Sequence, residues 1–208
     1  MKISLEHLAK KYNREWIFKD ITYAFNSGNY YAIKGPNGSG KSTLLQVIAG
    51  STMPTKGAIT YNVGENNSLP VTTENIYKHL AIAAPYLELI EEMTVTEFLH
   101  FHFTFKPVLE GISLQEILQL MQLENAAHKQ IRYYSSGMKQ RVKLAAAFFT
   151  QVPLLLLDEP CTNLDESGFQ LYYNLIQQYT KDKLVIVCSN DDKETSFCKE
   201  VLHITDYK

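Results

Sequence analysis

Short runs dense in Ile, Val, Leu and Tyr recur along the chain at 3–8, 21–25, 30–34, 58–61, 80–84, 154–158, 184–189 and 201–205. Several are unbroken apolar stretches, the pattern of strands buried on both faces. Between them apolar residues fall at helical spacing: Leu114, Ile117, Leu118 and Met121, then Phe169, Tyr172, Tyr173 and Ile176. Strands alternating with helices in the second half predict a parallel α/β sheet. The early strands, joined by short turns such as 26–29, predict antiparallel pairs. The expected organisation is one α/β domain with its core at 1–84 and 150–208, an antiparallel β subdomain near the start, and a mostly helical insert at 85–149. The polar stretch 62–75 reads as a surface loop.

With 208 residues, 45% hydrophobic and 20% charged, the chain has the material for a real core and is not a disordered polymer. A net charge of -2 predicts no nucleic acid as main partner. Three cysteines without a CxxC pair fit neither a disulfide framework nor a zinc site. The first residues carry scattered charges rather than a signal-peptide core, and 144–149 and 152–157 are too short to span a bilayer. A chain soluble by itself is expected.

Candidate chemistry begins at 35–43, which reads Gly35-Pro36-Asn37-Gly38-Ser39-Gly40-Lys41-Ser42-Thr43 and satisfies GxxxxGK[ST]. Glycines let successive backbone N–H groups converge on phosphate oxygens, and a following helix start adds its positive end. Lys41 supplies a flexible cation for the β- and γ-phosphates, and the Ser42 hydroxyl suits Mg²⁺. The run 30–34 before it reads as a strand, and the segment up to Gly50 as a helix with a glycine stop. Downstream, four leucines end in Asp158-Glu159-Pro160. A carboxylate at the C-terminal end of such a strand faces the ligand crevice of an open α/β sheet. Asp158 is placed to hold Mg²⁺, and Glu159 to polarise an attacking water.

Between these motifs stands Tyr134-Ser135-Ser136-Gly137-Met138-Lys139-Gln140-Arg141. With it, the sequence resembles the ATP-binding cassette (ABC) ATPases over essentially its whole length, in the version of the signature seen in exporters. The resemblance implies a P-loop NTPase fold, hydrolysis of ATP with Mg²⁺, and a place on the cytoplasmic face of the inner (plasma) membrane beside a transmembrane permease subunit. It also implies a second cassette, whose bound ATP the Ser135 and Gly137 of this chain would contact. An ordinary N-cap serine on a helix 137–149 is the plainer reading of Ser135. The run 162–165 matches the segment that bridges the two cassettes in the family. Tyr12, 23 residues before Gly35, matches the aromatic that stacks on adenine, with Trp16 and Phe18 as substitutes.

Two positions depart from the family pattern. Tyr86 stands where a glutamine is usual after Pro85, and Asn190 where a histidine is usual. Asn190 can hydrogen-bond a γ-phosphate but cannot carry charge or relay a proton. Three functions follow: a transporter ATPase, a regulatory cassette with weak hydrolysis, or a soluble ABC ATPase outside transport. The aromatic run Phe98–Phe105 reads either as a lining for the permease groove or as core of the insert, and His100 and His102, two apart, do not make a metal site.

Overall fold

The computed structural model describes residues 1–208 apart from residue 65. The chain divides into two compact units, one of 1–80, 152–158 and 182–208, the other of 81–151 and 159–181.

The first unit opens with two long strands, β1 (Lys2–Tyr12) and β2 (Glu15–Asn26), paired antiparallel. After β3 (Tyr30–Lys34) and α1 (Lys41–Ile48) come β4 (Lys56–Val63) and β5 (Leu69–Val71), completing an antiparallel sheet of order β2-β1-β4-β5. The expected N-terminal antiparallel layer is therefore present. The surface loop expected at 62–75 instead carries the end of β4 and all of β5. Three residues with Pro70 at the centre show no alternation to read, and a sheet edge is where proline is tolerated.

In the same unit, β7 (Leu154–Asp158), β8 (Leu184–Cys188), β3 and β9 (Glu200–His203) form a wholly parallel array in that order. Every residue of β7 and β8 is buried, which their unbroken apolar sequences required. The helix α1 lays Leu44, Leu45, Val47 and Ile48 into the core. It stops at Gly50, whose φ of 72° lets Gly50 N–H reach the Val47 carbonyl and Ser51 N–H the Gln46 carbonyl, both at 3.0 Å.

The short β6 (Leu80–Ala83) runs across the division between the units. The second unit then continues with α2 (Val95–Phe105), α3 (Leu114–Leu120), α4 (Ser136–Phe148) and α5 (Glu166–Tyr179). The starts of α2 and α3 are reciprocal capping boxes, Thr94 with Glu97 and Ser113 with Glu116. The buried face of α5 is Gly168, Leu171, Tyr172, Leu175 and Ile176, while Phe169 and Tyr173 are only half-buried. Its apolar stripe is thus turned by about one residue from the one the spacing suggested. The aromatic run on α2 is likewise split: Leu99 is buried, whereas Phe101 and Phe105 form an exposed edge-to-face pair 5.1 Å apart. No described helix is long and apolar enough to cross a membrane.

Candidate functional site

The phosphate-loop motif occupies the turn from β3 into α1, at the C-terminal edge of the parallel sheet. Its shape is dictated by close approaches. A Cβ on Gly40 would stand 2.4 Å from the Ile17 Cγ2 methyl, and Gly40 itself has φ 102°. A Cβ on Gly35 would meet the Ile204 methyl at 2.7 Å and Ser39 Oγ at 2.8 Å. These are distances no side-chain-bearing residue tolerates, so Ile17 and Ile204 form an apolar floor on which only a bare backbone can lie. Ser39 N–H closes a turn onto the Pro36 carbonyl at 3.0 Å, while Pro36, Asn37 and Gly38 face solvent.

Gly40 is also the N-cap of α1, in the left-handed region and with no side-chain hydrogen bond to the helix start. The first amides of α1 are therefore left for an external acceptor. Lys41 is 5% exposed, and its ammonium donates to the Gly35 carbonyl at 2.6 Å and the Pro36 carbonyl at 3.3 Å. Ser42 and Thr43 follow in the first turn, half-buried.

The sheet register fixes what stands near this loop. Asp158 pairs with Cys188 across β7 and β8, and Cys188 pairs with Ile33 of β3. Asp158 is thus two strand spacings, about 10 Å, from the strand that feeds the loop. It is 1% exposed. The Cys188 thiol lies 3.6 Å from the Lys41 carbonyl, tying the end of β8 to the start of α1. A buried carboxylate and the Ser42 hydroxyl are hard oxygen donors of the kind Mg²⁺ takes, and the side-chain-free cradle suits a polyphosphate.

Asn190 lies just past β8. Its Oδ1 accepts from Gly35 N–H at 3.2 Å, and its Nδ2 donates to Asn37 Oδ1 at 3.2 Å. The two bonds fasten the start of the phosphate loop, a role the sequence did not reveal. Nearby, Lys34 pairs with Asp192, and that ion pair holds the Asp192 carboxyl below its ordinary range.

Among the three aromatic candidates, Phe18 is wholly buried and has no ring face to offer, which removes it as a substitute. Trp16 lies beside the ammonium groups of Lys11 and Lys56, at 5.3 and 5.7 Å from its centroid. Tyr12 is 46% exposed at the end of β1, with Lys10 Nζ 4.8 Å from its ring centre.

The second unit carries the other motif residues. Ser135 is the N-cap of α4, its Oγ accepting from Met138 N–H at 3.2 Å, as the plainer reading required. Gly137 faces the Asn163 carbonyl, which a Cβ would meet at 2.9 Å. Glu159, the residue after β7, has φ 43° and is half-buried. Tyr86 is 43% exposed, and the carbonyls just before it, of Ala84 and Pro85, accept from Lys143 Nζ at 3.2 and 2.9 Å. Burial pulls the Lys143 ammonium below the ordinary lysine range, with Glu88 acting the other way.

Residues 18–162 match the family model described as ABC transporter. The chain belongs to the ABC transporter family. Among its ABC relatives is an uncharacterized ATP-binding protein, YxlF, of Bacillus subtilis, 34% identical over 88% of this chain. The chain spans 61% of the length of YxlF. The cytochrome c biogenesis ATP-binding export protein CcmA of Rhizobium meliloti is 30% identical over 91% of this chain and 90% of its own length. In fold the chain is similar to a bacterial ABC transporter cassette solved as a dimer, MJ0796, with a TM-score of 0.82 and 24% identity over 97% of this chain and 94% of that one. The ABC assignment gives the α/β architecture and the nucleotide-binding loop a common explanation.

Proposed function

We propose that residues 1–208 form a single ABC ATPase domain that binds and hydrolyses ATP to power a membrane transporter. The observation that carries this reading is the phosphate loop: a turn that only glycine can adopt, opening an uncapped helix, with Lys41 buried against it. In this reading Gly35 to Thr43 hold the triphosphate, Lys41 neutralises its β- and γ-oxygens, and Tyr12 stacks on adenine. Mg²⁺, held by Ser42 and Asp158, would supply charge neutralisation at the reacting phosphate. Glu159 accepts a proton from the attacking water, and Asn190 hydrogen-bonds the γ-phosphate.

Ser135 and Gly137 serve the nucleotide of a second cassette, so that two copies, or this chain and a related one, close around two ATP molecules and part after hydrolysis. The cassette sits on the cytoplasmic face of the inner (plasma) membrane, bound to a transmembrane permease subunit. Export is the preferred direction, supported by the GM-type signature and by the likeness to the export protein CcmA.

The test is Glu159→Gln. It keeps ATP binding, lowers turnover by on the order of 10³-fold, and accumulates an ATP-dependent dimer on a sizing column. A variant that stays monomeric with ATP and Mg²⁺ sinks the two-cassette mechanism. A second reading, a regulatory cassette with slow turnover, is favoured by one observation: Asn190 is already engaged with Gly35 and Asn37. Steady-state hydrolysis by the purified chain separates the two.

A further inference from the structure

We propose that Gln140 is a positioning residue for Glu159, holding from the signature helix the peptide that follows the acid. The inference rests on the reading of Glu159 as the group that readies water. Glu159 has φ 43°, a left-handed conformation that residues with side chains keep only when their surroundings impose it. The next residue is Pro160, whose ring pushes the residue before it toward extended backbone and so works against that conformation. Something must hold the turn. Thr162 N–H donates to the Glu159 carbonyl at 3.1 Å, closing the loop on one side. On the other, Gln140 Nε2 donates to the Pro160 carbonyl at 2.7 Å in a buried contact, with Gln140 only 4% exposed.

The bond is part of a seam along α4. Gly137, three residues earlier, lies against the Asn163 carbonyl. Arg141 donates to Ser167 Oγ at 3.2 Å and stands 3.7 Å from Asp165 Oδ1. Residues 137, 140 and 141 thus track the segment from Glu159 into the first turn of α5, and the N-cap of their helix is Ser135. The helix that offers Ser135 to a partner's nucleotide is the one that sets the acid for its own. A buried amide that merely filled space would be replaceable by leucine at little cost. One that positions Glu159 would not, because the Pro160 carbonyl would be left unpaired and the turn unsupported.

Two variants of the full chain test this, with turnover and ATP affinity measured in the presence of Mg²⁺. Gln140→Leu is expected to lower kcat about 10- to 100-fold, the scale of a small misplacement of a reacting group, with ATP affinity within about twofold. Gln140→Glu cannot donate as a carboxylate but can as the neutral acid, which burial favours. Its turnover relative to the unaltered chain should therefore rise as pH falls from about 8 to about 6. This ratio decides the matter even where Gln140→Leu fails to fold. Unchanged kcat in Gln140→Leu, or a flat ratio for Gln140→Glu, overturns the proposal and leaves the reading of Glu159 to its own glutamine variant. If the unaltered chain bound ATP without hydrolysing it, that reading would fall and this inference with it.

Discussion

Around the phosphate loop, geometry is enforced by atoms that are missing: Gly40 and Gly35 lie where a Cβ would be 2.4 Å from Ile17 and 2.7 Å from Ile204. Around the loop after Glu159, it is enforced by side chains that are present, with Gln140 on the Pro160 carbonyl and Arg141 on Ser167. The first arrangement breaks with the smallest addition. The second loosens with the smallest removal. Gly137 belongs to the first kind although it stands in the second region, since its neighbour is a backbone carbonyl that cannot swing aside.

Four experiments probe this contrast. Gly40→Ala should have the largest effect, because the added methyl meets Ile17 and the residue must also keep φ 102°. ATP affinity should drop on the order of 100-fold, about 3 kcal/mol of strain, by calorimetry with Mg²⁺. Affinity within twofold of the original would show that side chains, not bare backbone, shape the cradle. Next, Gly137→Ala pushes on Asn163, and turnover should fall roughly 10-fold through misplacement of the adjoining loop, while ATP affinity holds. Turnover equal to that of the unaltered chain would remove Gly137 from the group of backbone-enforced positions.

Asn190→His should change less. A histidine can carry charge at the γ-phosphate, and kcat is expected to rise several-fold, about 1 kcal/mol of barrier. No gain, with affinity unchanged, would mean the loop is built around the two bonds from Asn190 to Gly35 and Asn37. The smallest effect is on stability. His102 is half-buried with Nε2 3.0 Å from Thr150 Oγ1, and loss of solvent around the ring, aided by Lys106, lowers its pKa. The unfolded chain then binds the proton more readily than the folded one, so stability rises with pH through this group's titration and is lost on acidification. Denaturant midpoints at pH 7.5 and 5.5 should differ more for the original chain than for His102→Gln. An equal difference would clear His102 of the effect.

Much of this was readable beforehand, for physical reasons that differ by residue. The phosphate loop announces itself because backbone that tolerates no Cβ must be written as glycine. Strands β7 and β8 announce themselves because burial on both faces leaves an unbroken apolar run. Asn190 stands out in sequence, but its bonds to Gly35 and Asn37 depend on parallel pairing between strands some 150 residues apart in sequence, which no local pattern encodes. Gln140 stands within the signature motif, yet its role is invisible there, since its partner is a main-chain oxygen 20 residues on. The positive φ of Glu159 left no mark either, because glutamate before proline argues for extended backbone. The edge strand β5 is too short for any periodicity, and on α2 all-aromatic composition hid which rings face inward.

Gly40 begins α1 without a side-chain cap, an omission that with glycine at the cap typically costs a helix only about a few tenths of a kcal/mol. An anion seated there makes good the deficit, so the filled chain melts later than the empty one by an amount that grows with the logarithm of ligand concentration. A cell short of energy would then hold a softer population, more open to proteases, and the abundance of this cassette would follow the fuel supply with no dedicated sensor.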